Sequence, residues 1–271
     1  MPELPEVETT LRGIEPHILN LPIEEISIRE SKLRWKVPIK ELKKNLPGNY
    51  FSSITRRAKY LILNSKKGSL LIHLGMSGSL RILFEEVSPQ KHDHIDIVFK
   101  NNCLLRFTDP RKFGSFLWSK DPEVHPLLKD LGPEPLGNSF SGEYLFQVSR
   151  KRKVPLKNFI MNAKVLAGVG NIYASEALFL AGIRPQKRAG NISRKQYDLL
   201  AFSIKELLQN SIDKGGTTLK DFVGSDNKPG YFKNELMVYG RAGKACKKCS
   251  THLNEIRLSQ RSSVYCPKCQ A

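Results

Sequence analysis

Gly132-Pro133-Glu134-Pro135-Leu136-Gly137 divides the chain and decides its architecture. Two prolines with fixed φ and no amide donor, set between glycines, cannot continue a helix or a strand. The patterning changes across this break. Before it come short apolar runs separated by polar turns: Ile26-Ser27-Ile28, Tyr60 to Leu63, Leu70 to Leu74, Leu80 to Leu83, Ile95 to Phe99, Cys103 to Phe107 and Gly114 to Trp118. These read as strands, with the whole of 22–66 expected to be strands and polar turns. At the very start Val7, Leu11, Ile14 and Ile18 recur at helical spacing, which predicts an amphipathic helix over 5–18. Beyond the break the period becomes helical, with helices expected at 141–149, 155–162, 171–180 and 193–213. The fold class is therefore α+β and multidomain: a helix-flanked β-sandwich first, helices after it.

The composition narrows the partner. The 271 residues carry 44 Lys plus Arg against 26 Asp plus Glu, a formal charge of +18, which favours a polyanion and above all nucleic acid. An anionic membrane surface fits less well, since no basic amphipathic helix is evident. No apolar run approaches the roughly 18 residues of a membrane span. The carboxylates near the start do not suit a signal or transit peptide, so a cytoplasmic location is expected.

The opening Pro2-Glu3-Leu4-Pro5-Glu6 has two readings. With Met1 removed, Pro2 is a secondary amine beside two carboxylates, and an α-amino group with a pKa near 8 is partly unprotonated at neutral pH. Such an amine is a nucleophile able to form an iminium. The plainer reading is a stiff helix entrance, with Pro5 in the first turn.

Other stretches point to a nucleic-acid partner with less force. Arg56-Arg57-Ala58-Lys59 is a basic cluster at a strand entry. Gly75-Met76-Ser77-Gly78 is a glycine-flanked turn presenting Met76, and Asp109 to Phe113 sets Arg111 near Phe113, a combination suited to wedging a base stack. Lys91-His92-Asp93-His94-Ile95-Asp96 invites a metal reading, but alternation places the histidines on one face and Asp93 between them on the other, so a strand edge or phosphate contact is simpler. Gly168-Val169-Gly170-Asn171 at a helix start is a phosphate cradle or an ordinary turn. Arg150 to Lys153, followed by Lys157, contains no acid. The polar run from Gly215 to Gly230 reads as a lid or as a disordered connection. Cys103 reads as a small buried hydrophobe.

The last residues carry the most specific local signal. Cys246-Lys247-Lys248-Cys249 and Cys266-Pro267-Lys268-Cys269, sixteen residues apart, have the spacing of a tetrahedral four-thiolate zinc site. Four thiolates leave no place for water, so the metal is expected to be structural, folding a small basic module.

Taken together, Pro2 to Glu8 (PELPEVE), Arg57 to Tyr60 (RAKY), His73 to Gly78 (HLGMSG), Lys91 to His94 (KHDH), Asp109 to Gly114 (DPRKFG), Gly168 to Tyr173 (GVGNIY), Lys228 to Tyr231 (KPGY), Glu235 to Gly240 (ELMVYG) and the four cysteines resemble the bacterial formamidopyrimidine-DNA glycosylases over the whole chain. The resemblance implies a bifunctional glycosylase and abasic-site lyase acting on duplex DNA that contains oxidised purines such as 8-oxoguanine, or abasic sites. It implies a catalytic β-sandwich at 1–132, a helix-two-turn-helix domain at 133–215, a lesion-capping loop and linker at 216–240, and a zinc finger at 241–271. It further implies one structural Zn2+, no catalytic cofactor, a monomer, no membrane partner, and a nucleoid-associated cytoplasmic protein.

Residue by residue, the resemblance makes Pro2 the nucleophile at deoxyribose C1′, Glu3 the general acid/base, Glu6 the anchor of the sugar and amino terminus, and Lys59 a phosphate contact that assists base release. Met76, Arg111 and Phe113 become the void-filling trio. His92, Arg111, Lys157, Gly170, Asn171 and Arg261 become DNA contacts. Thr217, Thr218, Lys220, Ser225, Lys228 and Tyr231 fall in the loop that closes over the oxidised base. Asn162 stands where the family more often has Asp, and Asn227 where Gly is common. The related glycosylases for oxidised pyrimidines are the nearest rival, but they usually have Gly at the position of Leu4 and lack such a loop. A non-enzymatic DNA-binding protein or a ribosomal-RNA-binding protein would match the charge without needing Pro2, Glu3 or the loop.

Overall fold

The strands before the Gly132–Gly137 break form two four-stranded antiparallel sheets around one core in the computed structural model, which describes residues 2–85, 87–216 and 235–271. The chain divides into two compact units, 1–129 with 214–233, and 130–213 with 234–271.

The first unit begins with α1 (Leu4–Ile18) and β1 (Ile23–Ile28), continues through α2 (Ile39–Asn45), β2 (Ser53–Arg57), β3 (Tyr60–Ser65), β4 (Gly68–His73) and β5 (Ser79–Leu83), and ends with β6 (Asp93–Phe99), β7 (Leu104–Thr108) and β8 (Ser115–Ser119). The sheet orders are β1-β6-β7-β5 and β2-β3-β4-β8. Ile95, Ile97 and Phe107 of one sheet share a cluster with Leu61, Leu63 and Ile72 of the other, and Val7, Leu11, Ile14 and Ile18 of α1 join the same cluster. The apolar stripe of α1 thus closes the sandwich that strand alternation predicts.

One element departs from expectation. Residues 39–45 form the helix α2 rather than a strand, burying Leu42 and ending at the buried Leu46. Ile39, Leu42 and Leu46 lie three and four residues apart within a Lys/Glu-rich stretch, a helical period too short to stand out from its strand-like surroundings.

The acids of the Lys91–Asp96 stretch belong to ion pairs. Asp93, Asp96 and Arg106 are all buried. Arg106 grips Asp96 with both Nε (2.9 Å) and Nη2 (2.8 Å), while Arg29 reaches Asp96 at 2.8 Å and Arg81 reaches Asp93 at 3.3 Å. Strict alternation would set Asp93 and Asp96 on opposite faces, and the register shift between Asp93 and Ile95 brings both to Arg106. Burial without these partners would cost several kcal/mol per charge, so the network is held together as a unit.

The second unit contains α3 (Gly142–Ser149), α4 (Leu156–Ile160), α5 (Asn171–Leu180), a single 3-10 turn (Ala189–Asn191), α6 (Arg194–Asp213) and the hairpin of β9 (Asn254–Leu258) and β10 (Arg261–Tyr265). Ser141 caps α3 by accepting the Tyr144 N–H at 3.1 Å. Helix α5 is buried from Ile172 to Phe179 and forms the centre of the unit. On it the buried Glu176 accepts three backbone N–H groups, from Met237 (2.8 Å), Val238 (2.9 Å) and Tyr239 (2.7 Å), which fixes the chain entering the cysteine module to the central helix. Burial raises the Glu176 carboxyl pKa above its ordinary value, opposed by those three N–H groups. Among the described residues no helix is long and apolar enough to cross a membrane.

Candidate functional site

At the amino end, Pro2 and Glu3 are buried immediately before α1. The Glu3 N–H donates to Glu6 Oε2 at 2.8 Å, and the Glu3 side chain accepts the backbone N–H of Glu6 in return, a reciprocal capping box. The two carboxylates therefore occupy different positions: Glu6 holds the peptide group next to Pro2, and Glu3 stands at the helix mouth. Gly216, at φ +78°, packs against this point, where an added Cβ would meet Glu6 Oε1 at 3.2 Å.

The hairpin that carries Lys59 is tied to the same helix by the ion pair of Arg56 with Glu8. Lys59 is half-buried on the two-residue connection between the paired residues Arg57 and Tyr60, with Ala58 in a left-handed conformation at φ +54°. Arg56 braces the hairpin by donating to Glu8 Oε2 of α1 (2.9 Å) and to Ala58 O (3.0 Å).

His73, at the end of β4, was not singled out from sequence, although it pairs with Tyr60 in register and its ring lies 4.7 Å from the Tyr60 ring. Burial, reinforced by the charges of Lys59 and Arg34, lowers its pKa to about 4. Its Nδ1 accepts the Gly75 N–H at 2.9 Å, so the neutral ring carries its proton on Nε2. As pH falls from the ordinary 6.5 towards 4, the unfolded chain takes up this proton first. Folding stability should therefore drop through that window, by roughly 2–3 kcal/mol at its lower end. His73→Gln keeps an acceptor for Gly75, and denaturant titrations between pH 7 and pH 4 should show a shallower loss than in the wild type. Equal slopes would contradict the assignment.

The two turns that present Met76, Arg111 and Phe113 form one structure. Gly75, at φ +65°, lies so close to the neighbouring turn that an added Cβ would stand 2.4 Å from the carbonyl carbon of Phe113. Asp109, fully buried, organises both turns. Its Oδ1 accepts from the Ser77 hydroxyl (2.7 Å) and the Arg111 N–H (3.3 Å), its Oδ2 accepts from the Gly114 N–H (2.7 Å), and its carbonyl lies 2.8 Å from His94 Nε2. The tips remain exposed, Met76 by 36% and Phe113 by 43%, with the Arg111 guanidinium 4.7 Å from the Phe113 ring centre. A rigid base thus displays two apolar side chains and a cation. Half-buried His92 sits beside it, its carbonyl accepting the Asp109 N–H at 3.0 Å. Cys103 is buried, its thiol 3.5 Å from His17 O and raised in pKa by burial.

In the second unit, Gly170 caps α5 and Asn171 begins it. The Asn171 Oδ1 is buried with no hydrogen-bond partner. Lys157 is only 1% exposed, and its ammonium donates to Ser262 O (2.9 Å) and Ser263 Oγ (2.8 Å) of β10 rather than extending into solvent. It therefore pins the hairpin on which Arg261 stands. A cavity of about 230 Å³ is lined by Lys157, Asn158, Asn162, Ser259 and Arg261. Asn162 accepts the Lys164 N–H at 3.0 Å.

The four cysteine sulfurs lie within 4.8 Å of one another, the only cluster with metal-ligand geometry among the described residues. Sγ–Sγ separations of 3.5 Å (Cys249–Cys266) and 4.0 Å (Cys246–Cys269) are far beyond a disulfide, and they bracket the roughly 3.8 Å edge of a tetrahedron with 2.3 Å Zn–S bonds. The Lys248 and Cys269 N–H groups donate to Cys246 and Cys266 Sγ at 3.4 Å, and hydrogen bonds from Thr251 lower Cys249 to about 6. The donor set fits a structural zinc whose chemistry is to cross-link two knuckles.

Thr217, Thr218, Lys220, Ser225, Asn227, Lys228 and Tyr231 lie outside the described residues.

Comparison with known proteins covers the whole chain. Sequence models of the formamidopyrimidine-DNA glycosylase N-terminal domain, the formamidopyrimidine-DNA glycosylase H2TH domain and the zinc finger found in FPG and IleRS match residues 1–116, 131–223 and 243–271. The formamidopyrimidine-DNA glycosylase of Psychromonas ingrahamii is 56% identical and that of Stutzerimonas stutzeri 53% identical, each over 100% of both chains. The Lactococcus lactis Fpg structure with abasic-site DNA matches with a TM-score of 0.91 at 34% identity over 100% of both chains. Thermus thermophilus MutM matches with a TM-score of 0.89 at 32% identity over 99% of this chain and 98% of that one.

Proposed function

Because the chain belongs to the formamidopyrimidine-DNA glycosylase family, we propose that it excises oxidised purines from duplex DNA and cuts the strand through a covalent iminium at Pro2. The observation that carries the mechanism is the buried amino end, where the Glu6 carboxylate takes the Glu3 N–H and leaves Glu3 at the helix mouth beside Pro2. With Met1 removed, the Pro2 nitrogen attacks C1′ and the bond from C1′ to the damaged base breaks. The base departs with a proton. Glu3 protonates O4′ as the sugar ring opens, giving an iminium between C1′ and the proline nitrogen. That cation acidifies the C2′ proton. Its loss expels the 3′ phosphate by β-elimination, and δ-elimination then expels the 5′ phosphate, leaving a one-nucleotide gap. These steps involve no net oxidation by the enzyme, and the proposal includes no catalytic cofactor.

The target carbon is inaccessible in an intact stack, so the nucleotide must leave the duplex. The exposed Met76, Arg111 and Phe113 on their shared base are suited to occupy the gap. Lys59 supports base release by contacting phosphate, and His92, Gly170, Asn171 and Arg261 hold phosphates further along. Lys157 acts by fixing the Arg261 hairpin. The lesion-capping role is proposed for the 217–231 stretch on sequence resemblance alone. One structural Zn2+ held by Cys246, Cys249, Cys266 and Cys269 keeps the finger folded. The proposed protein is a monomer of the cytoplasm, working on the nucleoid.

Substrate class is tested by comparing free-base release from duplexes holding 8-oxoguanine opposite cytosine with release from duplexes holding an oxidised pyrimidine. The 8-oxoguanine duplex should be processed faster by about tenfold or more, the scale of discrimination a shaped pocket provides. A preference for the pyrimidine lesion would overturn the assignment.

A further inference from the structure

The basic run that opens the α3–α4 connection is not used by the mechanism above, and the fold builds it into a larger surface. Lys151, Arg152 and Lys153 are exposed, and they lie against a second basic segment, Lys187-Arg188. Backbone bonds lock the two together: Leu156 N–H to Lys187 O at 2.7 Å, Ala189 N–H to Val154 O at 3.0 Å, and Gly190 N–H to Arg152 O at 2.9 Å. Their positions are therefore fixed by the main chain, leaving the side chains available.

From Tyr144 to Tyr197 the sequence has 11 Lys or Arg (150, 151, 152, 153, 157, 164, 184, 187, 188, 194 and 195) and one acid, Glu176, a local excess of 10. Glu176 is buried and held by backbone N–H groups. Several of the cations have internal work: Lys157 pins β10, Arg150 donates to Ile192 O, Arg184 to Gln270 O, and Arg194 pairs with Glu143. Lys151, Arg152, Lys153, Lys187, Arg188 and Lys195 have no ion-pair partner among the described residues. A solvated face would ordinarily intersperse acids, so this concentration of one sign on a fixed frame is an electrostatic surface.

We propose that this surface grips the phosphate backbone of duplex DNA flanking the lesion, outside the site where the base is removed. The inference rests on the DNA reading above. The loop leads directly into the five-residue α4, which bears Lys157 and Asn158 beside Arg261. Lys153 precedes Lys157 of that cavity by only four residues, a chain reach of at most about 14 Å. Duplex DNA carries one phosphate per about 1.7 Å of axis, so DNA engaged at the cavity has further phosphates within reach of the loop.

The test replaces Lys151, Arg152 and Lys153 with Gln, and Lys187 and Arg188 with Gln in a second variant. None of these side chains belongs to the proposed catalytic set, and the locking bonds are main-chain. Affinity is measured against salt concentration on a lesion duplex of about 12 base pairs and on one of about 30. Each lost phosphate contact should lower the magnitude of the log–log slope by about 0.9, so the long duplex should lose two or more such steps while the short one changes little. Unchanged slopes on the long duplex would overturn the proposal, as would a loss confined to single-stranded RNA. Borohydride trapping on the short duplex separates the two levels: adduct formed with unchanged slopes defeats only the flanking grip, whereas no adduct in the wild type defeats the reading on which it rests.

Discussion

Glu3→Gln is expected to lower strand cleavage by about 10²- to 10⁴-fold, the usual scale for losing a positioned acid/base, with the Kd for a lesion duplex unchanged to within about threefold. The reason for the separation lies in the capping box. A Gln oxygen still accepts the Glu6 N–H and the Glu3 backbone N–H still reaches Glu6, so the helix start survives. What disappears is the carboxyl group able to give and take a proton beside Pro2. Gel separation of cleaved strands, with anisotropy for binding, measures the two effects on the same protein. Cleavage within about threefold of wild type would assign Glu3 a capping role alone.

Cys249→Ala, or removal of metal by a strong chelator, is expected to weaken binding of the lesion duplex by about tenfold or more, the loss from dropping one or more phosphate contacts. The finger has little apolar substance of its own: Leu253 and Val264, with Cys246 and Cys266, share a buried cluster with Val238 and with Phe179 of α5. Zinc binding to such modules is worth about 10–16 kcal/mol and is inseparable from their folding. Collapse would also release Ser262 and Ser263 from the Lys157 ammonium, leaving a buried cation without these partners and Arg261 without its hairpin. Metal content by mass spectrometry should fall by about one zinc per chain. Binding unchanged after verified metal loss would contradict the structural role.

The strand-rich first unit, the helical second unit and the cysteine knuckles were legible because each depends on local spacing. Period-two alternation predicts the sandwich, and the two Cys-X-X-Cys pairs predict a cluster whose sulfurs do converge. What escaped depends on partners distant in sequence. Helix α2 offers too few residues for its period to be read. Asp109 lies inside a stretch noted for Arg111 and Phe113, yet its role as the acceptor joining two turns requires Ser77, 32 positions away. His73 owes its low pKa to burial and to Lys59 and Arg34, none of which alternation can place. Lys157 read as one more cation of a basic stretch, and only the hairpin packed over it shows that its ammonium is buried.

Covalent trapping tests the central claim most directly. Protein whose intact mass shows that Met1 is absent, mixed with an 8-oxoguanine·cytosine duplex and sodium borohydride, should yield a reduced adduct with the DNA joined through Pro2, located by peptide mapping. Protein that retains Met1 has an amide at that nitrogen and should give none. Absence of an adduct from the processed protein under conditions in which the duplex is bound would contradict the iminium mechanism.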